Sequence, residues 1–247
     1  MRTSGTTVLI TGGGSGIGLE LARQFIGENN TVVICGRDGE KLKAASRELP
    51  GIIAIQCDVT DSHSVDNLVG NLRERGIVIN IIVNNAAKAN AYLLGPDANA
   101  GEKAFDEMNT NYLAVVSLTE KFLPQLIKQP ESAIINITSV VAVVPGLIVP
   151  TYSASKAALH SYTQSLRLSL SKFPNLRVFE VMPPIVDTEF SKEISAPDRM
   201  APARVAREIL EGIESNKLEM HLGLTASLLA LHKEDSFAAV ATMNRLA

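Results

Sequence analysis

Residues 6–26 read TTVLITGGGSGIGLELARQFI, and the change of pattern inside this stretch decides the fold. Residues 6–11 are a short β-branched and apolar run, the composition of a buried strand, and Gly12-Gly13-Gly14 stop it. From Ile17 the apolar residues recur at Leu21, Phe25 and Ile26, a helical spacing that ends near Asn29-Asn30. Glycines between a strand and a helix permit a tight turn and let backbone N–H groups approach a pyrophosphate, with the positive end of the helix dipole behind them. A plain flexible turn is the alternative, but the position directly after the first strand favours dinucleotide binding, with Gly12, Gly14, Ser15, Gly16, Ile17 and Gly18 as the cradle. No Gly-Lys-Ser/Thr ending follows, which argues against a P-loop nucleotidase.

Outward from that stretch the alternation repeats. Strands are predicted at 31–35, 52–57, 77–83, 133–138, 176–182 and, shorter, 218–222. Helices are predicted at 39–48, 61–75, 102–128 (in one or two pieces), 151–172 and 202–215. The strands are continuously apolar rather than alternating, as in a parallel sheet covered on both faces. The expectation is therefore an α/β fold: one Rossmann-type doubly wound parallel sheet of about seven strands, in a single domain over 1–247. The tail, 223–247, reads as two short helices, the second capped by Asp235 or Ser236.

Composition agrees. Of 247 residues, 46% are hydrophobic, enough for a full core. The net charge of −3 is dispersed and suggests no nucleic-acid footprint. No apolar run approaches the roughly 20 residues that span a bilayer. The chain enters its first strand at once, without room for a secretory signal, so the expectation is a soluble, cytoplasmic protein. Cys35 and Cys57 read as two buried thiols in a reduced compartment. His63, His160, His221 and His232 share no metal-ligand spacing and read as surface or interface residues, so no metal is expected. With no Trp and 4% aromatic residues, a stacking site for large planar substrates is not favoured.

Ligands in such sheets sit at the carboxyl ends of the strands, so the residues following each strand matter. After the second come Gly36-Arg37, where an acidic residue would bind a ribose 2′-hydroxyl. A glycine and a guanidinium instead leave room and charge for a 2′-phosphate, favouring NADP(H). NAD(H) stays open, because Asp38 is adjacent and the glycine loop holds no basic residue. After the third strand Asp58 is a candidate acceptor for the adenine amino group, and after the fourth Asn84, Asn85 and Ala86 are short enough to line the adenosine side.

After the fifth strand residues 139–156 read SVVAVVPGLIVPTYSASK. Tyr152 and Lys156, four apart, lie on one helix face, with Ser139 brought in from the strand end. A free phenol has a pKa of about 10, and a nearby cation favours phenolate, so the pair can move a proton. A buried tyrosine beside a surface lysine is the competing reading of that spacing alone. Asn111 falls inside a helix, where its amide needs a partner if buried; a surface position is the alternative.

Together TGGGSGIG at 11–18, Asp58-Val59, NNAA at 84–87, Asn111, Ser139 and YSASK at 152–156 resemble the short-chain dehydrogenases/reductases, in order and spacing, up to about residue 222. Within that family ICGRD at 34–38, PPIVDT at 183–188 and KAALHSYTQSLR at 156–167 look like the DltE-type bacterial oxidoreductases. The resemblance implies Tyr152 as general acid or base toward a carbonyl or alcohol. It implies Lys156 on the nicotinamide ribose, lowering the Tyr152 pKa, Ser139 on the substrate oxygen and Asn111 in a proton relay. It places Gly12 to Gly18, Asp58, Val59, Asn85, Ala86, Ala87, Pro183, Val186 and Thr188 around the dinucleotide, with 187–201 as a substrate lid. A small carbonyl or alcohol substrate and a homodimer or homotetramer are implied as well. Ala87 and Pro184 stand where the family carries glycine. A catalytically silent dinucleotide-binding sensor or scaffold on the same fold is the rival.

Overall fold

The central strands are apolar on both sides because both sides are covered. The computed structural model describes residue 1, residues 3–194 and residues 198–245. Its strands are β1 (Thr7–Thr11), β2 (Thr31–Gly36), β3 (Ile53–Gln56), β4 (Ile81–Asn84), β5 (Ser132–Ile137), β6 (Leu176–Met182) and β7 (Glu219–His221). They form one parallel seven-stranded sheet in the order β3-β2-β1-β4-β5-β6-β7. The helices are α1 (Gly16–Gly27), α2 (Gly39–Glu48), α3 (Ser62–Glu74), α4 (Ala100–Met108), α5 (Ala114–Leu126), α6 (Pro150–Leu170), α7 (Pro202–Glu214), α8 (Thr225–Glu234) and α9 (Ser236–Asn244).

The pleat divides the core in two. Val8, Ile10, Val32 and Ile34 face Leu21 and Phe25 of α1 and Ile209 of α7. Leu9, Val33, Ile82 and Ile134 face Leu68 of α3, Leu118 and Phe122 of α5 and Leu166 of α6. Successive strand residues thus enter opposite cores, which is why a polar alternation is absent from the sequence. The chain leaves β1 toward β2 and β3, then returns to lay β4 on the other side of β1. The crevice at that reversal, outside the strand ends, is where ligands of such sheets bind.

Two elements depart from expectation. The fourth strand begins at Ile81 rather than 77, because Ile77 N–H donates to Leu72 O (2.9 Å) and closes the end of α3. Ile79 is buried there as packing, outside the strand. The long helix after the polar loop is interrupted by a π turn, Asn109–Leu113, between α4 and α5. The backbone stays right-handed through it, with φ −62° and ψ −46° at Asn109 and φ −63° and ψ −41° at Leu113. Among the described residues no helix is long and apolar enough to cross a membrane.

Candidate active site

A cleft of about 1130 Å³ runs along the carboxyl ends of the strands, from Arg37 to Tyr152. Its glycine side is held by the loop after β4. Gly12 takes φ +65°, a conformation closed to most side chains, and an added Cβ would stand 3.0 Å from Ala86 Cα. The Asn85 side-chain amide donates to Thr11 O (2.9 Å) and Gly12 O (3.2 Å), while Thr11 Oγ1 accepts the N–H groups of Asn85 and Ala86, each at 3.0 Å. Asn85 therefore staples the two loops together. Gly18 does not border the cleft; a Cβ there would lie 2.4 Å from Gly12 O, so its part is to let α1 pack on the loop.

Ser15 precedes α1 in extended conformation with no side-chain cap, leaving the first amides of that helix uncapped at the cleft, where Gly14, Ser15, Gly16 and Ile17 form the wall. Thr188 stands opposite, its Cγ2 3.1 Å from where a Gly16 Cβ would be. At the far end Arg37 is exposed. Asp38, the residue weighed against a 2′-phosphate, also borders this end and caps α2, its Oδ1 accepting from Glu40 N–H (2.9 Å) and Lys41 N–H (3.1 Å). Lys41 borders the same end, a second cation that the sequence reading missed; its place one turn into α2, beside Gly14, was the available signal. Asp58 Oδ1 accepts from Thr60 N–H and Oγ1 (2.9 and 2.7 Å), and Val59 follows it in the wall.

Asn84 was expected on the adenosine side and is not there. It is buried, donating to Asn136 Oδ1 (2.7 Å), and Asn136 donates on to Thr163 Oγ1 (2.9 Å). This chain ties β4 through β5 to α6, and it leaves Asn84 Oδ1 buried without a partner. Ala86, Ala87, Pro183, Pro184 and Val186 do border the cleft, so both departures from the family glycines lie on its surface.

At the other end β5 and α6 bring Ser139, Tyr152 and Lys156 together. Pro150 opens α6 at the position where a missing N–H is harmless. Ser139 Oγ accepts from Val141 N–H (3.3 Å) and hydrogen-bonds the Tyr152 phenol. Lys156 is buried, with Nζ donating to Ile137 O (2.7 Å) and lying 5.7 Å from the Tyr152 ring centroid. Burial pulls its pKa down to about 7. Burial also pushes the phenol above its ordinary range, with the buried Glu107 adding to the rise and the Ser139 hydrogen bond opposing it. The shift is opposite to the one expected from the lysine, because the loss of solvent outweighs every other influence on the phenol.

Asn111 is fully buried in the π turn and does not border the cleft. Its Oδ1 accepts from Lys88 N–H, and its Nδ2 donates to Lys88 O and Ser155 Oγ, all at 2.8 Å. Ser155 Oγ in turn donates to Tyr152 O (2.7 Å), so Asn111 reaches the tyrosine through its backbone. One turn earlier Glu107, also fully buried, accepts from Asn90 N–H and Nδ2 (2.7 and 2.9 Å); an acid four residues before Asn111 was its only signal. His160, expected at a surface or interface, turns inward to the fully buried Glu180 (2.8 Å). The segment 187–201, expected as a lid, is held by a bridge between Val186 and Met200 and by Arg199 on Ser191; residues 195–197 lie outside the described residues. Among the described residues no three His, Cys, Asp or Glu side chains gather as a metal site.

The uncapped helix end and the stapled glycine loop fit a dinucleotide. A family model described as short chain dehydrogenase matches residues 6–199. The chain is 37% identical over 229 residues to an uncharacterized oxidoreductase, DltE, of Bacillus subtilis strain 168, covering 89% of each. Its fold superposes on a short chain dehydrogenase from Burkholderia cenocepacia J2315 in complex with NADP, with TM-score 0.87, 26% identity and 98% and 99% of the two chains covered. A short-chain dehydrogenase from Sphingobium yanoikuyae in complex with NADPH gives TM-score 0.79 at 26% identity, over 94% and 95%.

Proposed function

As the chain belongs to the short chain dehydrogenase family of oxidoreductases, we propose that it moves a hydride between NADP(H) and a carbonyl or secondary alcohol, with Tyr152 as general acid or base. The observation that carries this reading is the gathering of Ser139, Tyr152 and Lys156 at one end of a cleft whose other end is the glycine loop. When bound, the dinucleotide supplies the hydride. The loop and the first amides of α1 hold its pyrophosphate, Arg37 and Lys41 offer charge to a 2′-phosphate, and Asp58 accepts from the adenine amino group. Lys156 holds the nicotinamide ribose, with Pro183, Val186 and Thr188 toward the carboxamide.

Ser139 donates to the substrate oxygen, and Tyr152 gives that oxygen its proton. At neutral pH the phenol is protonated, as a free phenol is and burial reinforces, and this is the state a carbonyl reduction requires. As the proton leaves, a protonated Lys156 steadies the phenolate in surroundings of low dielectric. Asn111 fixes the start of α6 through Ser155, which places Tyr152. Phe105, Leu113 and Leu168, exposed on the helices flanking this end, support assembly of the chain into a homo-oligomer.

A panel of aldehydes and ketones followed by NADPH absorbance tests the reading. Turnover is expected, and Tyr152→Phe should lower kcat/KM by about 10²–10⁴. Unchanged turnover in that variant rejects the mechanism. Tight NADPH binding without turnover on any carbonyl would instead establish the silent scaffold.

A further inference from the structure

One apolar cluster belongs to neither face of the sheet. Val140, Val141, Val149 and Leu228 are buried together, with Ile148, Ile194, Met243 and the Tyr152 ring packed against them. These residues come from the segment after β5, the start of α6, the lid and the last two helices, and they border the end of the cleft that holds Tyr152. The Phe190 ring lies 5.9 Å from that of Tyr152, tilted by 60°. Apolar character continues outward, where Leu147, Phe190 and Leu224 are all exposed at the cleft.

Two polar side chains of the tail at this chamber are already engaged. Ser227 Oγ donates to Leu224 O (2.8 Å). Asn244 accepts from Leu147 N–H and donates to Pro145 O (3.0 Å) and Val240 O (2.8 Å), which clamps α9 onto the segment after β5. The charged residues of this end, Asp187, Asp198 and Arg245, are exposed at its mouth. Away from Ser139, Tyr152 and Lys156 and from Thr242 at the exposed rim, a polyhydroxylated or acidic substrate would bury its oxygens against apolar side chains.

Resting on the carbonyl reading above, we propose that the unreactive part of the substrate is an aliphatic chain, held in this chamber beside Tyr152, with Leu228 and Met243 of the C-terminal helices selecting it. The tail is then a specificity wall, and the lid alone does not define the pocket. Each methylene buried there should raise kcat/KM by roughly fourfold until the chamber is full.

The test compares butanal, octanal, glyceraldehyde and glyoxylate with NADPH, and measures octanamide and butyramide binding by calorimetry. Octanal should exceed butanal by at least about tenfold in kcat/KM, with glyceraldehyde and glyoxylate below both. Leu228→Asn and Met243→Gln should each shrink the octanal-to-butanal ratio by about tenfold, and weaken octanamide binding in step, while circular dichroism reports the fold retained. Higher turnover of glyceraldehyde or glyoxylate, or a ratio that both variants leave intact, overturns the proposal. Should no aldehyde turn over, octanamide binding that exceeds butyramide binding and falls in both variants still upholds the chamber while rejecting the reaction. Equal or absent binding of the two amides rejects the chamber.

Discussion

Lys156 donates its ammonium to the backbone carbonyl of Ile137 at 2.7 Å, pinning the start of α6 to the last residue of β5. That bond positions the lysine and also removes it from water, with a measurable consequence. Its pKa falls to about 7, whereas in the unfolded chain it lies near 10.4. Between these values the unfolded state binds more protons, so the contribution of this group to stability rises as pH climbs from about 7 to about 10. Subtracting the unfolding free energy of Lys156→Met from that of the wild type, measured in urea at successive pH values, should give a difference that grows by several kcal/mol across that window. A flat difference would place the lysine charge in water.

His160 predicts the opposite slope. Its hydrogen bond to the buried Glu180 raises its pKa, against the lowering effect of burial. A base whose pKa is raised on folding stabilises fully below its unfolded value, about 6.5, and loses that contribution as pH rises through the folded one. His160→Gln should therefore be destabilised most at acid pH, with the gap to wild type narrowing as pH increases. Thermal unfolding across the same buffers checks the sign.

Arg37 and Lys41 at the far end of the cleft predict cofactor choice. Charge-assisted hydrogen bonds to a phosphate contribute roughly 1.5–3 kcal/mol, so Arg37→Ala should weaken NADPH by about ten- to a hundredfold and NADH little. Lys41→Ala should act in the same direction with a smaller effect, because that ammonium also meets Glu189 at 3.4 Å. Fluorescence titration with both nucleotides decides; equal losses would remove the 2′-phosphate from the reading.

Asn111→Ala should destabilise by about 2–4 kcal/mol, since it strands the Lys88 N–H and C=O and frees Ser155 in a buried site. The same variant should lower kcat more than it raises KM, because it loosens the support of Tyr152 without touching the cleft surface. Urea unfolding and steady-state kinetics together distinguish this from a polar surface residue, whose loss would change neither.

The sheet was legible because its central strands are largely apolar runs and several end at a glycine, an asparagine or a proline, as at Gly12, Asn84 and Pro183. The site was legible wherever spacing alone sets geometry: Tyr152 and Lys156 share a helix face whatever surrounds them. What remained hidden depends on partners distant in the chain. Nothing in NNAA says that Asn84 turns to Asn136 while Asn85 turns to Gly12. The direction of the Tyr152 shift depends on burial, which no local spacing reports. The apolar stripe of the tail announced packing, but not that Leu228 and Met243 join the cluster that Tyr152 packs against, where Asn244 reaches Pro145 ninety-nine positions away.

The π turn at Asn109–Leu113 sets a limit on length variation in this chain. A π turn holds one residue more than a regular helix of the same span, and the surplus here presents Asn111 to Lys88 and Ser155. Deleting a single residue between α4 and α5 would restore uniform pitch and ease the helix. It would leave α4 and α5 in place, with Glu107 still on its partner, but would remove the surplus that presents Asn111 to Lys88 and Ser155. The segment is therefore intolerant of shortening for a reason unrelated to helix stability: its irregularity is what keeps two buried polar side chains addressed at once.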